Sequence, residues 1–189
     1  MRQGDDSRKY IRVDDTSEVW GVTFKVASTS LRESLPPKPR NYTELRSGDH
    51  VRIIVRDPRD RMVSAWRWFT LNVNSYLPEI LAASPEDHEY ILDKRAPFNE
   101  WAQTALRHWN AHWAPQTEIH PRWREFELIP IYDIHKLGWG HKKKTREDNS
   151  WEQYYDEATL ALVNEVYSED LEMWKEIKDG TDTRANRLL

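Results

Sequence analysis

Two short stretches of this sequence combine residue types that hold phosphate-like anions. In Lys25-Val-Ala-Ser-Thr-Ser30 an ammonium group is followed within five positions by three hydroxyls. Ser28, Thr29 and Ser30 are also N-cap candidates, so the free N–H groups of a helix start fall at the same spot. Such a turn suits a phosphate; the other reading is a capped helix with an exposed lysine. The second stretch is Arg56-Asp-Pro-Arg-Asp-Arg-Met-Val-Ser64. Arg56 leaves a strand end, and Arg61 and Ser64 are three apart, so on a helix they share a face and suit one anion. Asp57 and Asp60 offer the plainer alternative of a salt-bridged helix cap. The spacing in Gly21-Val-Thr-Phe-Lys25 departs from the Walker A pattern, which argues against an ordinary ATP-hydrolysing P-loop.

Both stretches follow apolar runs of strand type. Val19-Trp-Gly-Val-Thr-Phe24 and His50-Val-Arg-Ile-Ile-Val55 are short, β-branched and bounded by polar turns, which predicts two buried strands. A short helix follows the first and must stop at Pro36-Pro37. Asp57-Pro58 opens a long helix after the second, with Met62, Trp66, Phe69 and Val73 as its core stripe. Further helices are predicted from Pro85 to near Leu92 and from Phe98 to about Trp109. A third strand is predicted over Phe126–Tyr132, with Pro130 pushing it to a sheet edge. Asp156 caps a last helix through Leu160, Val163, Tyr167, Leu171 and Trp174. Strands alternating with helices predict an α/β fold, a single domain with a small, mainly parallel sheet flanked by helices. Its expected extent is 19–174, after an N-terminal segment 1–18 and before a polar tail 175–189. In such sheets ligands gather beyond the C-terminal strand ends, where both turns fall.

Composition narrows the classes of function. The 189 residues carry 28 Lys+Arg against 32 Asp+Glu, a formal charge of −4, with 38% hydrophobic residues and ten Trp. That is enough apolar surface for a core, and the mild negative charge argues against a general nucleic-acid coat. With no cysteine, disulfide scaffolds, thiolate metal sites and cysteine nucleophiles are excluded. No stretch approaches the ~18 apolar residues of a membrane span, and the start Met1-Arg-Gln-Gly-Asp-Asp6 lacks a signal peptide's apolar core. The expected location is therefore soluble and cytoplasmic.

Taken together, the strand, Lys-Ser/Thr turn and helix, then the strand and Arg-Asp-Pro-Arg-Asp-Arg-Met-Val-Ser-Ala-Trp, resemble the sulfotransferase superfamily, closest to its carbohydrate (Golgi-type) members. The resemblance continues through His112-Trp-Ala-Pro-Gln116, through Tyr154-Tyr155, and through Tyr167-Ser-Glu-Asp170 in the last helix. It implies a P-loop-like sulfotransferase fold that uses 3′-phosphoadenosine 5′-phosphosulfate (PAPS) and releases 3′-phosphoadenosine 5′-phosphate (PAP). Lys25, Ser28, Thr29 and Ser30 would take the 5′-phosphosulfate, and Arg56 and Ser64 the 3′-phosphate. The implied acceptor is a hydroxyl on a small molecule or glycan. Lys25 and the helix-start N–H groups would stabilise charge building on the leaving 5′-phosphate.

A base must take the acceptor proton. Glu33, eight residues beyond Lys25, is the expected base, because several sulfotransferases carry a glutamate at this offset from the same lysine. His112 is the rival and His50 a weaker third. The reaction needs no metal, and His108 with His112 lacks a third ligand in sequence. Gly140-His-Lys-Lys-Lys144 reads as a solvated basic loop or as one closing over the 3′-phosphate. In His108–Gln116, Trp113 and Gln116 are expected to border the acceptor, with Trp109 packed inside. Two rivals remain: a P-loop-type nucleotide kinase, with Asp57 as its metal ligand, and a nucleotide-binding protein without turnover.

Overall fold

The computed structural model describes residues 10–13, 16–26, 31, 35, 43–71, 85–137 and 150–180. The chain divides into two compact units: residues 1–56, 116–144 and 172–189, and residues 57–115 and 145–171.

The first unit is built on a four-stranded sheet in sequential order, β1 (Tyr10–Arg12), β2 (Glu18–Gly21), β3 (His50–Val55) and β4 (Glu127–Pro130). β2, β3 and β4 are parallel, and β1 adds to the edge antiparallel. The expected small, mainly parallel sheet is therefore present. Alternation sends Val19, Val51, Ile53 and Val55 to one face, where they meet Trp123, Phe126, Met173 and Trp174. Trp20, Ile54 and Ile129 go to the other, packing with Val22, Val26, Leu31 and Leu35. Burial on both faces is what a parallel sheet requires, and it explains the near-continuous apolar run of β3.

β3 matches its predicted bounds, whereas β2 ends at Gly21 instead of Phe24, because the chain turns at Phe24-Lys25. β4 is the outer strand, and Pro130 sits at its last pair with Val55, where a missing N–H disrupts no further ladder. β1 lies inside the segment 1–18 that the sequence reading set ahead of the domain. Its register pairs Tyr10 with Gly21 and Arg12 with Val19.

β1 is tied down by charge as well as by pairing. Arg12 grips Asp49 through two hydrogen bonds, 2.5 Å to Oδ1 and 2.7 Å to Oδ2, and the Asp49 side chain is 5% exposed. The Arg12 hydrogen bond holds the Asp49 carboxyl below the ordinary carboxylate range, against the opposing effect of burial. Because the folded value is the lower one, this stability is present above the unfolded pKa of about 4 and disappears as pH falls through the lowered value. Asp49→Asn is therefore expected to flatten the acid limb of a plot of melting temperature against pH. An acid limb identical to wild type would remove the pair from the acid response.

The second unit is helical. α1 (Pro58–Leu71) starts as predicted at Pro58, with Asp57 Oδ1 accepting from the Arg59 backbone N–H at 2.9 Å. α2 (Pro85–Ile91) and α3 (Phe98–Ala105) pack their Ile91, Phe98, Trp101 and Ala105 against Met62 and Phe69 of α1. Val73 of the predicted stripe lies outside the described residues. α3 ends at Ala105, not near Trp109: the N–H groups of Arg107 and His108 bond three residues back, to Thr104 and Ala105.

The short α4 (Gln116–Ile119) returns the chain to the first unit. The last helix is two, α5 (Glu157–Val166) and α6 (Ser168–Lys178), interrupted at Tyr167. Asp156 caps α5 as expected, accepting from Thr159 N–H at 2.7 Å. α6 runs beyond the expected start of the polar tail, and Ile177 packs on the sheet-side cluster of Trp174.

Candidate functional site

The parallel register aligns the C-terminal ends of β2 and β3, since Gly21 pairs with Ile53 and each chain continues past the pairing. The β2 chain turns at Phe24-Lys25, and Lys25 has φ +65°, the left-handed conformation that β-carbon sterics disfavour by roughly 1–2 kcal/mol. Such a residue persists where its surroundings hold it. One holder is Arg56, at the end of β3: its Nη1 donates to the Lys25 carbonyl at 2.9 Å. The two residues chosen independently from the sequence are thus joined by a hydrogen bond. Beyond Lys25, the Leu35 N–H donates to the Leu31 carbonyl at 3.1 Å, the bond of a helical turn, and both leucines are buried.

Arg56 is 5% exposed, and its backbone is held by a side chain. Gln116, 1% exposed at the start of α4, donates from Nε2 to the Arg56 carbonyl at 2.9 Å and accepts from the Arg56 N–H at 3.3 Å. A β-strand end whose ladder stops here thus keeps both backbone groups satisfied. Gln116, expected beside an acceptor, is instead buried, and its side-chain amide bonds the Arg56 backbone. Spacing alone offered no signal for that clamp.

In the second unit, Asp57 binds Arg59 through Nε at 2.9 Å and Nη2 at 2.7 Å, and Arg59 lies 4.2 Å over the Trp151 ring. The salt-bridged cap among the sequence alternatives is therefore present. Arg61 is 1% exposed and donates to the carbonyls of Ala114 at 2.7 Å and Ala111 at 3.4 Å, so its guanidinium fastens the 111–114 loop. Ser64, one turn on, is half-buried. Tyr155 donates to the Arg59 carbonyl at 2.9 Å, and burial pushes its phenol far above the ordinary range, which keeps it a donor. Tyr154 accepts from Arg67 Nη2, and Tyr167 donates to the Trp113 carbonyl.

His112 is buried, stacked on Trp68 with ring centroids 5.1 Å apart. Its Nδ1 and its own backbone N–H both lie 2.9 Å from one atom of Asn110. An atom that accepts from a backbone N–H is the amide oxygen, so it accepts from Nδ1–H too. In the neutral ring the basic lone pair is then on Nε2. His108 instead pairs with Asp87, Nε2 to Oδ2 at 2.7 Å, so the two histidines serve different partners. His50 lies 3.0 Å from Glu127 at the opposite, N-terminal end of β3 from the Lys25 turn.

The loop tryptophans reverse their expected places. Trp113 is 2% exposed, edge-on to Trp101 and Phe69, with Nε1 donating to the His108 carbonyl at 2.8 Å; Trp109 is 41% exposed. The early end of α3 is the cause, because it takes Trp109 off the helix and turns it outward. A cleft of about 440 Å³ beside α2 and α3, bordered by Asp87, Tyr90 and Glu100, contains none of the residues selected from sequence. Ser28, Thr29, Ser30, Glu33 and the basic stretch 140–144 lie outside the described residues.

The mainly parallel sheet, with basic turns beyond two adjacent strand ends, defines an α/β protein whose ligands would gather at that edge. A model described as "Sulfotransferase family" matches residues 33–140, more than half of the chain, which therefore belongs to that family. The match includes Arg56, Ser64 and His112 and begins after the Lys25 turn. No curated protein and no solved structure matches the chain. Among the described residues no helix is long and apolar enough to cross a membrane.

Proposed function

We propose that this sulfotransferase-family chain uses PAPS as donor and sulfates a hydroxyl of a carbohydrate acceptor. The observation that carries the reading is the hydrogen bond from Arg56 to the carbonyl of left-handed Lys25, which couples the two basic turns at one sheet edge. Lys25, with Ser28, Thr29 and Ser30, takes the 5′ side of the nucleotide, and Arg56 and Ser64 take the 3′-phosphate. PAPS, when bound, supplies a sulfuryl group on a good leaving phosphate. The acceptor oxygen forms the new S–O bond as the bond to the 5′-phosphate breaks, and PAP departs. Lys25 stabilises the charge that builds on the leaving phosphate, and a base takes the acceptor proton.

Glu33 is the base in this reading, following the resemblance. A second reading gives the role to His112, favoured by the Asn110 contact that leaves its lone pair on Nε2. Trp113 and Gln116 are taken up by packing and by the Arg56 backbone, so this reading assigns the sugar-facing role of the 108–116 loop to its exposed Trp109.

Calorimetry tests the nucleotide assignment. PAP is expected to bind more tightly than ADP; the reverse order would favour the kinase reading. Arg56→Ala is expected to weaken PAP by about 1.5–3 kcal/mol, as for a charge-assisted contact, and AMP by less. Equal losses for PAP and AMP would confine Arg56 to holding the Lys25 turn and overturn its 3′-phosphate role.

A further inference from the structure

We propose that His120 is a positioning residue for the Lys25 turn, acting through the hydroxyl of Thr23; this rests on the reading of that turn as the 5′ side of the nucleotide site. His120 follows α4 and is fully buried, and its Nε2 lies 2.8 Å from Thr23 Oγ1, itself 2% exposed. Its other nitrogen, Nδ1, lies 3.3 Å from the Tyr10 hydroxyl on β1, and the two rings are 5.4 Å apart. The imidazole therefore bridges the first strand of the sheet to the residue two before Lys25.

The ring reaches that position because Gly21 has no side chain. A β-carbon there would stand 2.9 Å from His120 Cε1 and 2.4 Å from Ile53 Cγ2. Glycine in a strand marks such a close approach. The turn is thus held on both sides of its strained residue, by His120 on Thr23 before it and by Arg56 on the carbonyl of Lys25 itself. A neutral imidazole has one donor and one acceptor nitrogen, and hydroxyls serve as either, so both contacts are satisfied without a buried charge. The left-handed turn is held in place before any ligand arrives, the preorganisation a binding loop needs.

Two substitutions at one site separate this role from packing. His120→Gln puts an amide nitrogen near the place of Nε2 and keeps a partner for Thr23, whereas His120→Asn reaches only as far as Nδ1 and abandons it. PAP titrated into the full chain is expected to bind His120→Gln within about twofold of wild type, and His120→Asn about five- to tenfold more weakly, the scale of one neutral hydrogen bond. Thr23→Val, which keeps shape and removes the hydroxyl, is expected to match His120→Asn and decides the matter where that variant does not fold. Wild-type affinity in Thr23→Val and in folded His120→Asn, with any loss confined to melting temperature, overturns the positioning role. A wild-type chain that fails to bind PAP overturns the nucleotide reading and this role with it, so the wild-type titration tells the two failures apart.

Discussion

Glu33→Gln is expected to lower turnover by about 10²–10⁴ while PAP affinity hardly changes, because the amide keeps the shape of the side chain and removes its basicity. The comparison variant is His112→Gln. The neutral tautomer of His112 is fixed by geometry: the Asn110 oxygen takes Nδ1–H, which leaves the lone pair of the neutral ring on Nε2, and the Trp68 face fixes the plane. If Glu33 is the base, His112→Gln retains most turnover, and any loss follows melting temperature. Full turnover in Glu33→Gln with the large loss in His112→Gln exchanges the roles. Both variants are measured by single-turnover sulfuryl transfer, with PAP affinity from calorimetry as the control that separates chemistry from binding.

Trp113→Ala is expected to cost about 3–5 kcal/mol of stability, the scale of an aromatic removed from a packed core. The indole is enclosed by Trp101 and Phe69, and its N–H is satisfied by the His108 carbonyl, so truncation leaves both a cavity and an unpaired acceptor. Trp109→Ala, two-fifths exposed, is expected to change stability by no more than about 0.5 kcal/mol and to raise acceptor KM. Chemical denaturation reads the first variant and steady-state kinetics the second. A Trp113→Ala protein of wild-type stability would contradict its place in the core, and an unchanged KM in Trp109→Ala would remove the sugar platform.

The features legible in the sequence were those whose cause is local. β3 was readable over its full predicted bounds, because four β-branched apolar residues among six have one economical state beside a polar turn. The start of α1 was readable from Asp57-Pro58, and that of α5 from Asp156, because capping chemistry acts within three residues. The basic turns at Lys25 and Arg56 stood out for the same reason, and the family match over 33–140 covers the second of them.

The early end of α3 was not legible, since tertiary packing of Trp113 outweighed a helical rhythm that Trp109 could have continued. Nor was β1, whose three residues are too few for a periodic signal and gain their place from pairing with β2 and from Arg12 on Asp49. The same holds for the contacts that hold the Lys25 turn. Gln116 reaches Arg56 across sixty positions and His120 reaches Thr23 across ninety-seven. Local propensity can select a residue that suits an anion. Which distant side chain holds it in a strained conformation is decided only when the sheet brings the strand ends together, because hydrogen bonds act over about 3 Å of space whatever the separation along the chain.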